Sequence, residues 1–144
     1  MSFTDATGWD LAEAERAFAK AIRARRRASL LRRLRRCADC PQLAIQQARS
    51  AARNVARGAV REIPLAAITG SVEPNRAALF DREFRPYPVT RSRWLRVWHA
   101  EQRGAGLPPI SVVAVGDRYA IRDGHHRVSV ARARGAHSIA AAIA

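Results

Sequence analysis

Apolar residues in the first part of the chain recur with the spacing of a helix. They fall at three- and four-residue intervals, interrupted at Arg25: Leu11, Ala14, Phe18, Ala21, Ala28 and Leu31. This spacing predicts one helix over residues 9–36. Pro41 suits the first turn of a second helix, which is predicted over residues 41–57. The chain is therefore expected to begin with a two-helix arm over residues 1–58.

Beyond residue 58 the pattern changes to short apolar runs separated by glycine and proline. Runs rich in β-branched residues predict strands at residues 60–65, 110–115, 119–121 and 138–143. Helical spacing predicts helices at residues 91–102 and 125–134. Several prolines within residues 69–91 predict an irregular loop with a short helical piece near residues 76–80. The expected fold class is α+β, with the arm followed by a small mixed α+β domain over residues 59–144.

Charge changes the picture of the arm. The chain carries 26 basic and 12 acidic residues, a net charge of +14, and residues 16–36 contain basic residues but no acidic one. Such a segment attracts polyanions, so we expect residues 16–36 to contact DNA through its phosphates. The arginines surround the helix too uniformly for base readout. The alternative is a solvated helix face without a partner.

The apolar runs are too short for a membrane protein. None approaches the roughly 18 consecutive apolar residues of a membrane-spanning helix. The first residues also lack a charged region followed by an apolar run, so no secretory signal is expected. The sequence therefore predicts a cytoplasmic protein with no membrane partner.

Two cysteines, Cys37 and Cys40, have the spacing of zinc and redox sites. A structural zinc site needs four ligands, and no second cysteine or histidine pair lies nearby in the sequence. A homodimer that combined two such pairs would supply four. Two idle or buried cysteines at a helix junction are the favoured interpretation, so no metal site is predicted.

The candidate site is the turn Asp123-Gly-His-His-Arg127, between a predicted strand and a predicted helix. Gly124 lets the backbone approach a ligand, and the first N–H groups of a helix attract anions. Arg127 offers a planar fork of donors to phosphate, and the histidines His125 and His126 titrate near neutral pH. These features predict an anion site. The alternative is a tight turn in which Asp123 caps the helix.

The second half of the chain resembles the ParB/sulfiredoxin superfamily. The resemblance covers residues 60–143 and is densest over Leu107-Pro-Pro-Ile, the following strands, the turn and its helix. It implies a compact α+β domain in which a phosphate-binding turn leads into a helix. ParB N-terminal domains bind CTP and carry Gly-Glu-Arg-Arg at this turn. Sulfiredoxins bind ATP and carry Gly-Cys-His-Arg.

The turn of this chain differs from both branches at one position. Gly124, His126 and Arg127 match the sulfiredoxin turn, whereas His125 stands where sulfiredoxin has its catalytic cysteine and ParB has a glutamate. Histidine cannot carry out thiol chemistry, so reduction of sulfinic acids is not expected. Arg93 resembles a sulfiredoxin lysine that contacts a nucleotide phosphate.

The first hypothesis is therefore a nucleotide-binding protein, with the nucleotide open between ATP or ADP and CTP. Gly124 gives access, Arg127 and His126 donate to one phosphate, and Arg93 reaches a second. If the protein is an enzyme, phosphoryl transfer or nucleotide hydrolysis is expected, with His125 as general base or nucleophile. Asp123 then orients a histidine or holds Mg²⁺ with the phosphates. The second hypothesis is a DNA-associated binding protein without turnover, which uses its basic arm.

Overall fold

The computed structural model describes residues 8–35 and 59–143. Within these ranges the fold is mixed α+β, with four helices and one five-stranded sheet, which confirms the predicted fold class. The predicted second helix at residues 41–57 and the cysteines Cys37 and Cys40 lie outside the described residues.

Most element bounds agree with those predicted from the hydrophobic pattern. The helices are α1 Gly8–Leu34, α2 Pro74–Ala77, α3 Arg91–Gln102 and α4 His125–Ala133. The strands are β1 Ala59–Pro64, β2 Ile68–Ser71, β3 Ile110–Val115, β4 Arg118–Asp123 and β5 Ser138–Ile143.

The sheet brings the ends of β2 and β4 together. Its strand order is β1-β5-β3-β4-β2, with β1–β5 and β3–β4 antiparallel and β5–β3 and β4–β2 parallel. Because β2 runs parallel to β4, Ser71 pairs with Ile121 near the carboxyl end of both strands. Helix α4 starts just beyond that edge, which places the predicted site there.

The prediction that residues 69–91 form only a loop with a helical piece is wrong at its start. Most of β2 falls in that segment, and the helical piece is α2. Strand β2 is four residues long and contains Gly70, so its local preference for extended structure is weak. Pairing with β4 stabilises β2. Such a long-range contact cannot be predicted from a short window of sequence.

One apolar core lies against the sheet. Its members come from every strand and from α4, and they include Ile63, Ile68, Ile110, Val112, Ile121, Val128 and Ile143. Burial of this many β-branched side chains supplies most of the driving force for this part of the fold.

A second core joins α1 to α3 and α4. Phe18 of α1 lies against Trp94 of α3, with ring centroids 5.3 Å apart, and Ile22 is buried in the same cluster. The predicted apolar face of α1 is right at Ala14 and Phe18 but wrong at its ends, since Leu11 is 50% and Leu31 48% exposed. Helix α3 has 12 residues and α1 has 27, so the contact reaches only part of α1.

Candidate anion-binding site

The turn before α4 requires glycine. Gly124 occupies the N-cap of α4 with φ of 107°, in the left-handed region. A Cβ at this position would lie 2.5 Å from Ile110 Cγ2, well inside van der Waals contact. The backbone oxygen of Gly124 accepts the N–H of Val128 at 3.0 Å, which starts the helix. The first-turn N–H groups have no acceptor within the helix.

Three arginines meet at a cavity beside this turn. The cavity has a volume of about 430 Å³ and is lined by Arg93 and Arg96 of α3, Arg127 of α4, and apolar side chains at Val97, Ala100 and Leu107. Arg127 is half-buried, and its Nη2 donates to the backbone oxygen of Pro109 at 3.4 Å. None of the three arginines belongs to an ion pair within the part of the chain that the structure describes.

His125 points into the protein. The side chain is 1% exposed, and a hydrogen bond of 2.6 Å joins its Nε2 to Ser71 Oγ at the end of β2. Its ring stacks on Phe80, and Nδ1 has no partner among the described residues. Burial, together with the positive charge of Arg76, lowers the pKa of His125 to about 4. The imidazole is therefore neutral at pH 7 and braces α4 against β2.

His126 lies nearer to the arginines. It is 8% exposed and packs edge-on against Phe80, with ring centroids 5.2 Å apart. Burial, followed by the charges of Arg93, Arg76 and Arg96, lowers the pKa of His126 to about 4. A neutral imidazole has one N–H donor and one acceptor, so His126 can donate a single hydrogen bond to an anion.

Asp123 does not cap α4. No side-chain bond caps the helix, and the carboxylate instead accepts a hydrogen bond from Arg76 Nη1 at 2.5 Å. Burial raises the pKa of Asp123, but the lowering by Arg76 and Arg127 is larger in total. The net pKa of Asp123 is therefore below its usual value. The interpretation of the turn as one capped by Asp123 is therefore not what the structure contains.

The predicted residues divide into two groups. Arg93 and Arg127 line one cavity, whereas Gly124, His125 and His126 are not among its lining residues. Gly124 is close to Arg127, since a Cβ there would lie 3.2 Å from Arg127 Nη2, and the charges of Arg93 and Arg96 reach His126, whereas His125 is 1% exposed. Arg96 joins the cavity without having been predicted, although its spacing of three residues from Arg93 places both on one face of a helix. Within residues 8–35 and 59–143, no group of three or more histidine, cysteine or acidic side chains could hold a metal ion.

Comparison with known proteins gives a likeness of fold. The chain matches no known family model and no curated protein. Among solved structures, it is similar to sulfiredoxin from Arabidopsis thaliana. The two are 20% identical over 60% of this chain and 84% of that chain, with a TM-score of 0.39. This similarity concerns the fold alone. No helix among the described residues is long and apolar enough to cross a membrane.

Proposed function

We propose that the protein binds a nucleotide through its phosphates at the cavity between α3 and α4. The observation that carries the proposal is the convergence of Arg93, Arg96 and Arg127, none of which forms a salt bridge among the described residues. Guanidinium groups recognise phosphate oxygens through paired hydrogen bonds, and like charges held close together gain stability from an anion.

The turn adds donors that arginine side chains do not supply. The N-terminus of α4 carries backbone N–H groups and the positive end of the helix dipole. Gly124 leaves the N-terminus of α4 without a side chain at the N-cap. A side chain there is excluded, because its Cβ would collide with Ile110. The neutral His126 contributes one further N–H, which favours a phosphate oxygen over a chloride ion because the contact is directional.

The cavity also has room for more than a phosphate. Its volume of about 430 Å³ lies within the range of small-molecule sites, roughly 300–1,000 Å³. Val97, Ala100 and Leu107 form an apolar side against which a base would pack. The resemblance of the sequence leaves ATP, ADP and CTP as candidates. Mg²⁺ would accompany the phosphates, and its binding by Asp123 would require the ion pair with Arg76 to open.

Binding is better supported than turnover. A general base must reach the proton that it removes, and His125 is 1% exposed with its Nε2 bonded to Ser71. Its low pKa, about 4, also makes it a weak base at pH 7. Phosphoryl transfer or nucleotide hydrolysis through His125 therefore stays a prediction from the sequence, whereas the geometry favours a supporting role for this residue.

Calorimetric titration with ATP, ADP and CTP tests the proposal. We expect the wild type to bind at least one of them, and Arg127→Gln to weaken that binding roughly 10- to 100-fold, the usual effect of losing a charged hydrogen bond. Arg118→Gln is the matched control, because Arg118 is an exposed arginine away from the cavity. Failure of all three nucleotides to bind at about 1 mM, or equal losses in the two variants, would contradict the proposal.

A second candidate function is DNA binding by α1. It is favoured by exposed arginines at Arg23, Arg26, Arg27 and Arg33, on a helix with no acidic residue after Glu15. Removing the helix is a poor test, because Phe18 packs on Trp94 and the deletion would uncover the second core. Substitution of exposed residues avoids that problem.

The double variant Arg23→Glu/Arg27→Glu tests this second function. If both side chains contact phosphates, the slope of log K against log salt falls by roughly 2 units, since each contact contributes about 0.9. The control is Arg118→Glu/Arg122→Glu, which changes the charge equally on β4. An unchanged affinity and salt slope in the α1 variant would exclude this helix as the DNA contact.

A further inference from the structure

A second and larger cavity lies between α1 and the rest of the domain. Its volume is about 790 Å³, and it shares no lining residue with the anion cavity. Ala17, Ala21 and Ala24 form its α1 wall, spaced four and three residues apart on one face of the helix. Because alanine side chains end at Cβ, this face leaves space between α1 and the domain.

The opposite wall has an apolar part that is held in a defined shape. It includes Leu65, Phe84 and Trp98. Phe84 is 1% exposed and has φ of 60°, a strained conformation for a residue with a large side chain. Asp81 holds the loop, since its Oδ1 accepts the backbone N–H groups of Glu83 at 3.0 Å and of Arg85 at 2.8 Å. The fold thus maintains a strained aromatic residue at the cavity wall.

The cavity carries an excess of positive charge. Arg16 and Lys20 line it from α1 and form no ion pair within the described residues. Two carboxylates also line the cavity: Glu13 accepts a hydrogen bond from Gln102, and Glu83 pairs with Arg85, which lines the cavity as well. The lining therefore has an excess of positive charge, since Arg16, Lys20, Arg85 and Arg132 stand against Glu13 and Glu83.

Arg132 adds a half-buried charge at the floor of the cavity. Its Nη2 donates only to backbone oxygens, those of Leu65 at 3.0 Å and Ile68 at 3.4 Å, and its buried Nε has no acceptor among the described residues. The guanidinium carbon lies 5.4 Å from the centre of the Phe84 ring. Burial lowers the pKa of Arg132, and although the carboxylates of Glu83 and Asp81 raise it, the net pKa stays below the usual value, so they do not fully offset the burial of this charge.

We propose that this cavity binds an organic monoanion with an apolar body, such as a medium-chain carboxylic acid. The carboxylate meets Arg16, Lys20 and Arg132, and the chain lies between the alanine face of α1 and the aromatic wall. The volume is within the roughly 300–1,000 Å³ of small-molecule sites. A polyphosphate fits less well, because Glu13 and Glu83 would repel its several charges. This proposal is independent of nucleotide binding.

Titration of the full-length protein with decanoate tests the proposal, followed by NMR at the indole N–H of Trp98. That N–H donates to Gln102 at 2.9 Å and belongs to a residue of the cavity wall. We expect saturable shifts at or below about 1 mM decanoate. Decanol, which lacks the charge, and inorganic phosphate, which lacks the chain, should each bind at least about tenfold more weakly, since each supplies half of the interactions. Equal shifts with all three, or none with decanoate, would overturn the proposal.

A matched pair of variants locates the bound acid. Ala24→Phe fills the cavity from α1 and should abolish the decanoate shifts, whereas Ala19→Phe places the same side chain on the exposed face and should leave the affinity unchanged. Lys20→Gln should raise the Kd roughly threefold, as expected for a solvent-accessible ion pair. If Ala24→Phe unfolds the helix contact, nuclear Overhauser effects between decanoate and the methyl groups of Ala17 and Ala21 in the wild type decide instead. Their absence at saturation would refute the site.

Discussion

The arginines of α1 and those of the anion cavity are the same residue type in opposite arrangements. On α1 the arginines Arg23, Arg26, Arg27 and Arg33 are exposed and lie around the helix, and an inward exception, Arg25, donates to the backbone oxygen of Pro86 and lies over the Tyr87 ring. In the cavity Arg93, Arg96 and Arg127 come from two helices and face one space of about 430 Å³. Net charge alone does not distinguish the two regions. The difference is that the cavity arginines converge on one space, because α3 packs against α4 through apolar side chains. Several donors can therefore reach the same anion.

The largest expected effect comes from breaking the turn that sets this convergence. Gly124→Ala places a Cβ 2.5 Å from Ile110 and forces a side chain into φ of 107°. We expect the free energy of unfolding, measured in urea, to fall by about 3 kcal/mol or more, with loss of nucleotide binding.

Gly116→Ala is the control for this loss. Gly116 also has positive φ, 63°, but a Cβ there would meet nothing within 4 Å. Gly116→Ala should lower the free energy of unfolding by about 1 kcal/mol, which is the cost of placing alanine in the left-handed conformation alone. Equal costs at the two glycines would mean that the close approach of Ile110 to the turn is not important for stability.

Acid should lower the free energy of unfolding through protonation of His126, which precedes Arg127 in α4. His126 has a pKa of about 4 in the folded chain against a usual value of 6.5, so the unfolded state binds more protons below pH 6.5. Its contribution to stability is complete above about pH 6.5 and is lost as the pH falls towards 4. Between pH 7 and pH 5, His126 should account for a loss of about 2 kcal/mol in the free energy of unfolding.

Urea unfolding of the wild type and His126→Gln at both pH values isolates this contribution. The decrease between pH 7 and pH 5 should be about 2 kcal/mol smaller in the variant, because glutamine does not titrate in this range. His137→Gln, at an exposed position, separates burial from the loss of a histidine. Identical decreases in wild type and His126→Gln would show that burial of this ring does not disfavour its charge.

The smallest expected effect is that of a single arginine, and it can be compared directly between the two regions. Arg96→Gln removes one of three convergent donors and should raise the nucleotide Kd roughly tenfold, about 1.4 kcal/mol. Arg26→Gln removes the same charge from the exposed side of α1 and should change the Kd less than twofold, because salt screens distant surface charges. Calorimetry at physiological salt measures both. Similar changes would mean that net charge, and not convergence, attracts the nucleotide.

Elements with a strong local signal were predictable from the sequence. The bounds of α3 and β3 agree with the predicted ones because helical spacing, β-branched runs and flanking Gly and Pro residues all lie within short windows. Gly124, Arg127 and Arg93 could be selected in the same way, from the chemistry of a helix start and from a family resemblance.

What the sequence could not predict depends on contacts between distant residues. Strand β2 exists through its pairing with β4, and Ser71 meets His125 across 54 positions of the chain. For the same reason His125, adjacent to His126 and identical in type, could not be recognised as the deeper of the two rings. The cavity beside α1 requires α1 to lie against the domain, which only the packing of Phe18 and Trp94 decides.

Helix α3 contributes side chains to both cavities, since Arg93 and Arg96 line one and Trp98 lines the other. If both proposals hold, a ligand in either cavity that moved α3 would also alter the wall of the other cavity. Any coupling between the two proposed ligands would then be reciprocal: the factor by which an organic acid changed the nucleotide affinity would equal the factor by which the nucleotide changed the affinity for the acid. In that case α1, which lines only the larger cavity, would affect nucleotide binding without contacting the nucleotide.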